Sequence, residues 1–298
     1  MKKCVSYSLF GFDKERQDGC FDFSSYLRGL MVNLRMNRLL FPDFQTVLHI
    51  DEASYNAYMP LFTSLGESVR CVICEPAPLC KAMLWRLKPL FEKDAEGFQK
   101  YTHVLCRDLD SPATYREVQA VTYWLNRDKA CHAITDSVSH DVPLMGGMIG
   151  FKTSYFLNHV IDNWEDFVTK TGINYEKKGS DQDFLNRVVY PMFASKGSES
   201  IIQHYFLGMA NTFLDGYLTC QCPQTVGHAS TCHNNIEVSI PYNLIESNGC
   251  CGHIGAAGFY PAYTFNFLRK HAGQFDDILR AERLYPDLFY WTKDKTFD

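Results

Sequence analysis

The chain has no long apolar run. No segment approaches the about 18 consecutive apolar residues that a membrane-spanning helix needs. Residues 1–7 lack the extended apolar stretch of a secretory signal, and there is no internal repeat or low-complexity segment. These absences predict a soluble, cytoplasmic protein with no membrane span.

Excess charge of either sign is also small. The 298 residues carry a formal net charge of -5, with 21% charged and 46% hydrophobic residues. This composition is ordinary for a globular protein and argues against disorder. It also argues against a broad basic surface for nucleic acid, although a local basic groove stays open. The length fits one large α/β domain or one domain with an appendage.

Strand-like and helix-like segments alternate in the first 110 residues. Strands are predicted at 3–11, 46–51, 68–74 and 101–106, with helices near 24–40, 55–65 and 79–90 between them. This order predicts a parallel sheet with crossover helices, which binds its ligands at the carboxyl ends of the strands. Neither G-x-G-x-x-G nor a Walker motif is present, so phosphates would have to be held through a metal ion and side chains.

The pattern of the remaining chain predicts further elements. Helices are expected at 117–125, 164–169 and 181–189, a short strand at 132–134, a glycine-interrupted strand at 143–150 and amphipathic helices within 265–298. In the first helix, Arg28, Arg35 and Arg38 share one side, which we interpret as a solvated basic face.

Two carboxylates follow the predicted strand 101–106 at a spacing of two. In extended backbone Asp108 and Asp110 would point to the same side, and such a pair suits a hard divalent cation that also holds phosphate oxygens. The pair alone also fits a solvated turn. The surrounding sequence makes us favour the metal site.

Cysteine is abundant, with 12 residues. Seven lie in apolar context and are expected as buried reduced thiols: Cys4, Cys20, Cys71, Cys74, Cys80, Cys106 and Cys131. The others cluster with histidines: Cys220, Cys222, His228, Cys232, His233, Cys250, Cys251 and His253. This cluster predicts structural Zn²⁺ or packed thiols, and we favour thiols because Cys-x-Cys is tighter than the usual zinc spacing.

Six patches in order resemble one enzyme family. They are Val5-Ser6-Tyr7-Ser8-Leu9-Phe10-Gly11, Met83-Leu84-Trp85-Arg86, Arg107-Asp108-Leu109-Asp110-Ser111, Met145-Gly146-Gly147-Met148, Asp181-Gln182-Asp183-Phe184-Leu185-Asn186 and His253-Ile254-Gly255. In them the chain resembles retaining nucleotide-sugar glycosyltransferases of the GT-A fold related to family 8, and still more a group of uncharacterised bacterial and viral proteins of that type. The resemblance covers residues 3–195 and, beyond them, only the His-x-Gly patch.

The resemblance implies a fold and a division of the chain. Residues 1–200 would form an α/β, GT-A-like (Rossmann-like), mostly parallel sheet flanked by helices, which binds the nucleotide sugar and carries the catalytic groups. Residues 201–298 would form a less regular, Cys/His-rich extension that completes the site and contributes to acceptor binding.

The resemblance also implies roles for single residues. Asp108, Asp110 and His253 would bind Mn²⁺ or Mg²⁺. The implied catalytic residues are Asp181 on the sugar hydroxyls, Gln182 near the anomeric carbon and Asp136 on sugar or acceptor. The implied donor-binding residues are Ser6, Tyr7, Ser8, Arg86, Arg107, Asp108, Gly146, Gly147 and Gly255.

The chain departs from the family pattern at three places. Pro112 stands where the group has arginine, and residues 135–140 keep only Asp136 and His140 of an Arg-Asp-His-Pro-x-His pattern. Ala256 and Ala257 replace the usual Lys-Pro pair after His-x-Gly, so the family's diphosphate contact at that site is not implied for this chain. An altered acceptor or sugar pocket is consistent with these changes.

The implied activity is metal-dependent transfer of a sugar, with retention, from a nucleotide sugar such as a UDP-sugar to a hydroxyl acceptor. The acceptor is left open: a glycan, a small molecule, a protein side chain or a hydroxymethylated pyrimidine in phage DNA. The alternative from another class is a non-catalytic protein that binds a sugar nucleotide or zinc.

Overall fold

The structure is a computed structural model. It describes residues 2–12, 23–113, 115–135, 142–157, 163–169, 171–195, 200–205, 228–233, 236–241 and 267–292. The residues singled out above that lie outside these ranges are Cys20, Asp136, His140, Cys220, Cys222, Cys250, Cys251, His253, Ile254, Gly255, Ala256 and Ala257.

Nine strands of the described residues form one mixed sheet. They are β1 Lys2–Leu9, β2 Phe44–Asp51, β3 Arg70–Cys74, β4 Tyr101–Arg107, β5 Cys131–Thr135, β6 Met148–Lys152, β7 Ile201–Tyr205, β8 His228–His233 and β9 Ile236–Pro241. Their spatial order is β3-β2-β1-β4-β6-β5-β7-β9-β8. Strand β6 runs antiparallel to β4 and β5, β8 is antiparallel to β9, and the other neighbouring pairs are parallel. The predicted α/β class and parallel β1–β4 sheet are confirmed.

Helices flank the sheet. They are α1 Phe23–Leu40, α2 Glu52–Ala57, α3 Met59–Leu65, α4 Leu79–Met83, α5 Tyr115–Arg127, α6 Thr153–Leu157, α7 Trp164–Thr169, α8 Ser180–Phe184, α9 Tyr190–Ala194 and α10 Asp276–Glu282. Shorter 3₁₀ segments span Gly66–Ser68, Leu84–Phe91, Ala272–Gln274 and Tyr290–Thr292, and a π-helical turn spans Leu185–Val189. Within the described residues, no helix is both long and apolar enough to cross a membrane.

Several predicted elements differ from those observed; the helix predicted at 55–65, for example, is two helices, α2 and α3. The helix predicted at 79–90 becomes a 3₁₀ helix from Leu84, because Pro89 cannot donate an α-helical hydrogen bond. The helix predicted at 181–189 changes to π geometry after Phe184. The strand predicted at 143–150 begins only at Met148, since Gly146 and Gly147 form a turn.

The sheet buries an apolar core on each face. Side chains alternate along β1, so that Val5 and Tyr7 join one core while Cys4 joins the other. The first core contains residues of α1, α3 and α10, and the second contains residues of α7, α8 and α9. The described cysteines predicted as buried thiols are free, and all but the partly exposed Cys71 are buried.

Ion pairs fasten α10 to α1. The Arg35 guanidinium donates to both oxygens of Glu282 at 2.5 and 2.8 Å, and both side chains are fully buried. Arg38 pairs with Asp277 at 2.8 and 2.7 Å. The prediction of a solvated basic face was therefore wrong at Arg35 and Arg38, because α10 covers that side of α1.

We expect Arg35→Met to destabilise the protein by about 3–5 kcal/mol, since it leaves the buried Glu282 carboxylate without its guanidinium. The double variant Arg35→Met/Glu282→Met should recover most of this loss, because no buried charge remains. Urea unfolding measures both changes. Lys81→Met, which breaks the more exposed pair with Glu165, is the control and should cost less than about 1 kcal/mol. A double variant as unstable as the single one would contradict this account.

A histidine without hydrogen-bond partners lies under α5. His132 is 2% exposed, neither ring nitrogen has a hydrogen-bond partner, and the ring stacks on Trp124 with centroids 4.5 Å apart. A Cβ at Gly150 would lie 2.5 Å from this ring, so glycine is needed beside it. Burial, with a smaller contribution from Arg107, lowers the pKa of His132 from 6.5 to about 3.

We expect His132→Leu to flatten the pH dependence of the free energy of unfolding. The unfolded chain binds a proton near pH 6.5 and the folded chain only near pH 3, so stability falls as the pH drops through this window. Removing His132 should lower the slope by up to about 1.4 kcal/mol per pH unit. Urea unfolding at several pH values measures the slope, with His271→Leu at a partly exposed histidine as the control. An unchanged slope would show that His132 titrates normally in the folded state.

Candidate functional site

A pocket opens at the carboxyl ends of β1 and β4. Its lining includes Ser8 and Phe10 at the end of β1, Asp108 just after β4, and Arg86 from the 3₁₀ segment that precedes β4. Tyr26 of α1 and Met83 of α4 complete the wall. Open α/β sheets bind ligands at this end of their strands. The pocket therefore lies where the sequence predicted ligand binding.

Arg86 is the buried cation of this pocket. Its side chain is 5% exposed and contacts Oδ1 of Asp108, whose side chain is 40% exposed. The Ser8 hydroxyl accepts from the Arg86 amide at 3.0 Å, which fixes the backbone. Burial tends to lower the pKa of Arg86, but Asp108, Cys106 and Asp181 outweigh it and raise that pKa. The guanidinium is therefore held in its charged form between carboxylates.

The Gly146-Gly147 turn closes over this pair. A Cβ at Gly147 would lie 2.0 Å from Oδ2 of Asp108, and one at Gly146 would lie 2.6 Å from a guanidinium nitrogen of Arg86 and 3.1 Å from the Gln182 amide nitrogen. At Gly147 the clash extends to the Asp108 Cβ at 2.9 Å, so this position requires glycine, whereas a side chain at 146 would displace the end of the Arg86 side chain. The turn brings the predicted residues of four separate stretches into contact.

The segment Ser180–Phe184 reaches the turn from the other side. Asn186 accepts from the Leu144 amide at 2.9 Å and donates to the Leu144 carbonyl at 3.0 Å, which ties the helix to the turn. Gln182 lies beside Gly146, and the Asp181 carboxylate is buried close enough to Arg86 to raise its pKa. The side chains of Asp181 and Gln182 thus belong to the same site as Asp108.

Asp110 is a largely buried carboxylate with one oxygen that accepts no hydrogen bond. Its Oδ1 is buried without a hydrogen-bond partner, and burial followed by the charge of Asp108 raises its pKa from 3.8 to about 7. Oxygen ligands of this kind suit a hard divalent cation. Asp108 and Asp110 therefore fit such an ion. Within the described ranges, no group of three or more His, Cys, Asp or Glu is placed to hold a metal.

A buried asparagine that sequence reasoning missed holds the aspartate loop. Asn33 of α1 donates to the Leu109 carbonyl at 3.1 Å and accepts from the Ala113 amide at 3.2 Å. These bonds clamp the loop that carries Asp110 from both sides. The sequence could have indicated this role, because Asn33 lies within the apolar run of α1 and a buried polar side chain needs hydrogen-bond partners.

Three residues predicted to bind the donor have other partners. Ser6 and Tyr7 are fully buried, with Ser6 near His49 at 3.3 Å and the Tyr7 hydroxyl bonded to Asn37. Arg107 is also buried; it pairs with Glu117 at 3.0 Å and donates to the Gly147 carbonyl at 3.2 Å. These side chains do not line the pocket that contains Ser8; Arg107 instead supports the glycine turn.

A second pocket adjoins the first through Phe10. It lies at the ends of β1 and β2 and includes Asp51, Glu52, Asn56 and Trp85. Phe10 and Trp85 meet edge to face with centroids 5.7 Å apart. Asp51 caps α2 and accepts from the Gly11 amide at 2.9 Å. The sequence signal for this pocket was the acid that ends the second predicted strand.

Compared with known proteins, the chain matches no family model and no curated protein at a significant level. The function proposed below depends on the residues and contacts described above.

We expect Gly147→Ala to displace Asp108 and to weaken Mn²⁺ binding at least about tenfold, because the new methyl group would overlap Oδ2. The fold should persist, since the clash lies at the rim of the sheet. Electron paramagnetic resonance of free Mn²⁺ measures binding, and thermal unfolding checks the fold. Gly273→Ala, where a Cβ meets nothing within 4 Å, is the control. Equal Mn²⁺ binding by both variants would refute the close fit.

Proposed function

We propose that this chain is a metal-dependent glycosyltransferase of the GT-A type, which transfers a sugar from a nucleotide-sugar donor to a hydroxyl acceptor. The observation that carries the proposal is the convergence of Arg86, Asp108, the Gly146-Gly147 turn and Gln182 at one end of the sheet. These residues come from four separate patches of the family resemblance. Chance resemblance in short patches would not require them to meet in space.

The sheet supports this proposal. Four parallel strands in the order β3-β2-β1-β4 form a nucleotide-binding type of half-sheet, with the aspartate pair directly after β4. A single reversed strand, β6, follows next to β4 and delivers the glycine turn to the aspartates. This arrangement is compatible with a GT-A-like sheet.

Asp108 and Asp110 would hold the divalent cation, Mn²⁺ or Mg²⁺. When bound, such an ion neutralises the charge that develops on the leaving diphosphate. Arg86 supplies a fixed positive charge on the same side of the pocket, and burial makes its field stronger than that of a surface arginine. Ser8 and Cys106 hold the Arg86 backbone at 3.0 and 3.5 Å, which keeps this charge in place.

The two adjoining pockets fit the nucleoside and the diphosphate of a nucleotide sugar. The pocket with Phe10, Trp85 and Asp51 offers aromatic surface and carboxylates, which suit a base and ribose hydroxyls. The pocket with Arg86 and Asp108 suits the diphosphate. Asp181 and Gln182, beyond the glycine turn, would then face the sugar: Asp181 accepts hydrogen bonds from its hydroxyls and Gln182 lies near the anomeric carbon. By the family resemblance, the reaction would retain the anomeric configuration.

Hydrolysis and transfer with several UDP-sugars in the presence of Mn²⁺ test the proposal. Asp108→Asn and Asp110→Asn should each lower turnover by about 10²–10³-fold, because leaving-group stabilisation is lost. NMR of the first-formed product should show the retained anomer. Asp43→Asn, at an exposed carboxylate, is the control and should leave turnover unchanged. Undiminished turnover in both site variants, or no turnover with any nucleotide sugar, would overturn the proposal.

A further inference from the structure

Both oxygens of Asp108 are already in contact with the protein. Oδ1 accepts from the Arg86 guanidinium, and Oδ2 packs so closely on Gly147 that a Cβ there would lie 2.0 Å away. The Gly147 carbonyl is itself held by buried Arg107 at 3.2 Å. A cation that approaches Oδ1 of Asp108 therefore competes with the guanidinium, which can rotate, whereas the Gly147 backbone is held in place.

A second carboxylate, that of Asp181, is an alternative partner for the Arg86 guanidinium. Gln182 and the Arg86 guanidinium both lie against Gly146, and the Gln182 amide donates to the Asp181 carboxylate at 3.4 Å, so this carboxylate is on the same side of the pocket. The backbone of Arg86 is fixed by Ser8, so the side chain can change partner only by rotating within the pocket. An incoming diphosphate would offer the guanidinium new oxygen atoms in the same pocket.

We propose that Arg86 occupies the place of the cation at Asp108 in the ligand-free protein, so that the cation binds weakly alone and tightly only together with a diphosphate. The inference rests on the cation site of the proposed function. The diphosphate draws the guanidinium from Asp108 and at the same time contributes oxygens to the cation. Because coupling is reciprocal, the cation must strengthen diphosphate binding by the same factor.

The coupling follows from competition for one carboxylate oxygen. With Arg86 in contact, Oδ1 of Asp108 is a poor ligand, and the positive guanidinium repels a second cation that approaches the same oxygen. Once the guanidinium binds phosphate, that repulsion is replaced by attraction to an anion shared by both positive groups. Arg86 thereby disfavours idle occupation of the site by free metal ions.

The test uses the full chain, Mn²⁺ alone, and Mn²⁺ with inorganic pyrophosphate or UDP, with free Mn²⁺ measured by electron paramagnetic resonance. Wild-type protein should bind Mn²⁺ at least about tenfold more tightly when pyrophosphate or UDP is present. Arg86→Met should bind Mn²⁺ alone at least about tenfold more tightly than wild type, and its enhancement by pyrophosphate should shrink by a similar factor. Arg86→Lys, which keeps the charge without the planar fork, should lie between the two.

Lys152→Met removes a positive charge at the surface pair with Asp128 and is the control, which should bind like wild type. Thermal unfolding shows whether the Arg86 variants fold, and Arg86→Lys carries the test if Arg86→Met does not. If wild type binds Mn²⁺ through Asp108 but the folded Arg86 variants bind Mn²⁺ alone no more tightly, the inference is overturned while the cation site stands. If no protein binds Mn²⁺, with or without UDP, the inference and the proposed function are both overturned.

Discussion

The close contact of Asp108 with Arg86 and Gly147 is the constraint on which the arrangement of the site depends. A guanidinium as buried as that of Arg86 is tolerated only beside carboxylates, because desolvating an unpaired charge costs several kcal/mol, on the order of 3–5. Asp108 and Asp181 provide that charge from two different elements. Asp108 in turn leaves no room for a side chain at position 147, which must be glycine, and a side chain at 146 would displace the end of the Arg86 side chain. The need to pair the Arg86 charge with Asp108 thus restricts the residue that the chain can have at the turn, about 40 positions further along.

The scaffold holds these parts through buried polar groups rather than through the sheet alone. Asn33 clamps the loop after β4, Arg107 holds the Gly147 carbonyl, and Asn186 ties α8 to Leu144. Each of these bonds joins segments far apart in sequence. Satisfied buried hydrogen bonds are costly to break, so they define one geometry for the pocket. The loop and the turn therefore need no regular secondary structure of their own to be placed accurately.

Sequence periodicity predicted the elements whose environment is local, and missed what depends on distant partners. The strands at the start of the chain, helix α1 and the aspartate pair after β4 follow from alternation, capping and polarity. The reversal at β6 does not, because direction in a sheet is decided by the connection and not by strand composition. Arg35 was predicted in solvent because its partner, Glu282, lies 247 residues away. The roles of Asn33 and Arg107 stayed hidden for a similar reason, since Asn33 binds backbone groups of the loop after β4 and Arg107 binds the Gly147 carbonyl and Glu117.

Among the buried guanidinium groups of the described residues, those of Arg35 and Arg86 have partners that differ in one decisive respect. Glu282, the partner of Arg35, is as fully buried as the arginine itself, so no ligand can reach that pair without unfolding α10. Asp108, the partner of Arg86, is 40% exposed and opens into a pocket. A charged pair that is enclosed on both sides serves stability or specificity of folding. In a pair that is enclosed only on the arginine side, the carboxylate stays accessible to solvent and to ligands. A ligand that reaches it can compete for the guanidinium. That asymmetry separates the structural ion pair of this fold from the one at its site.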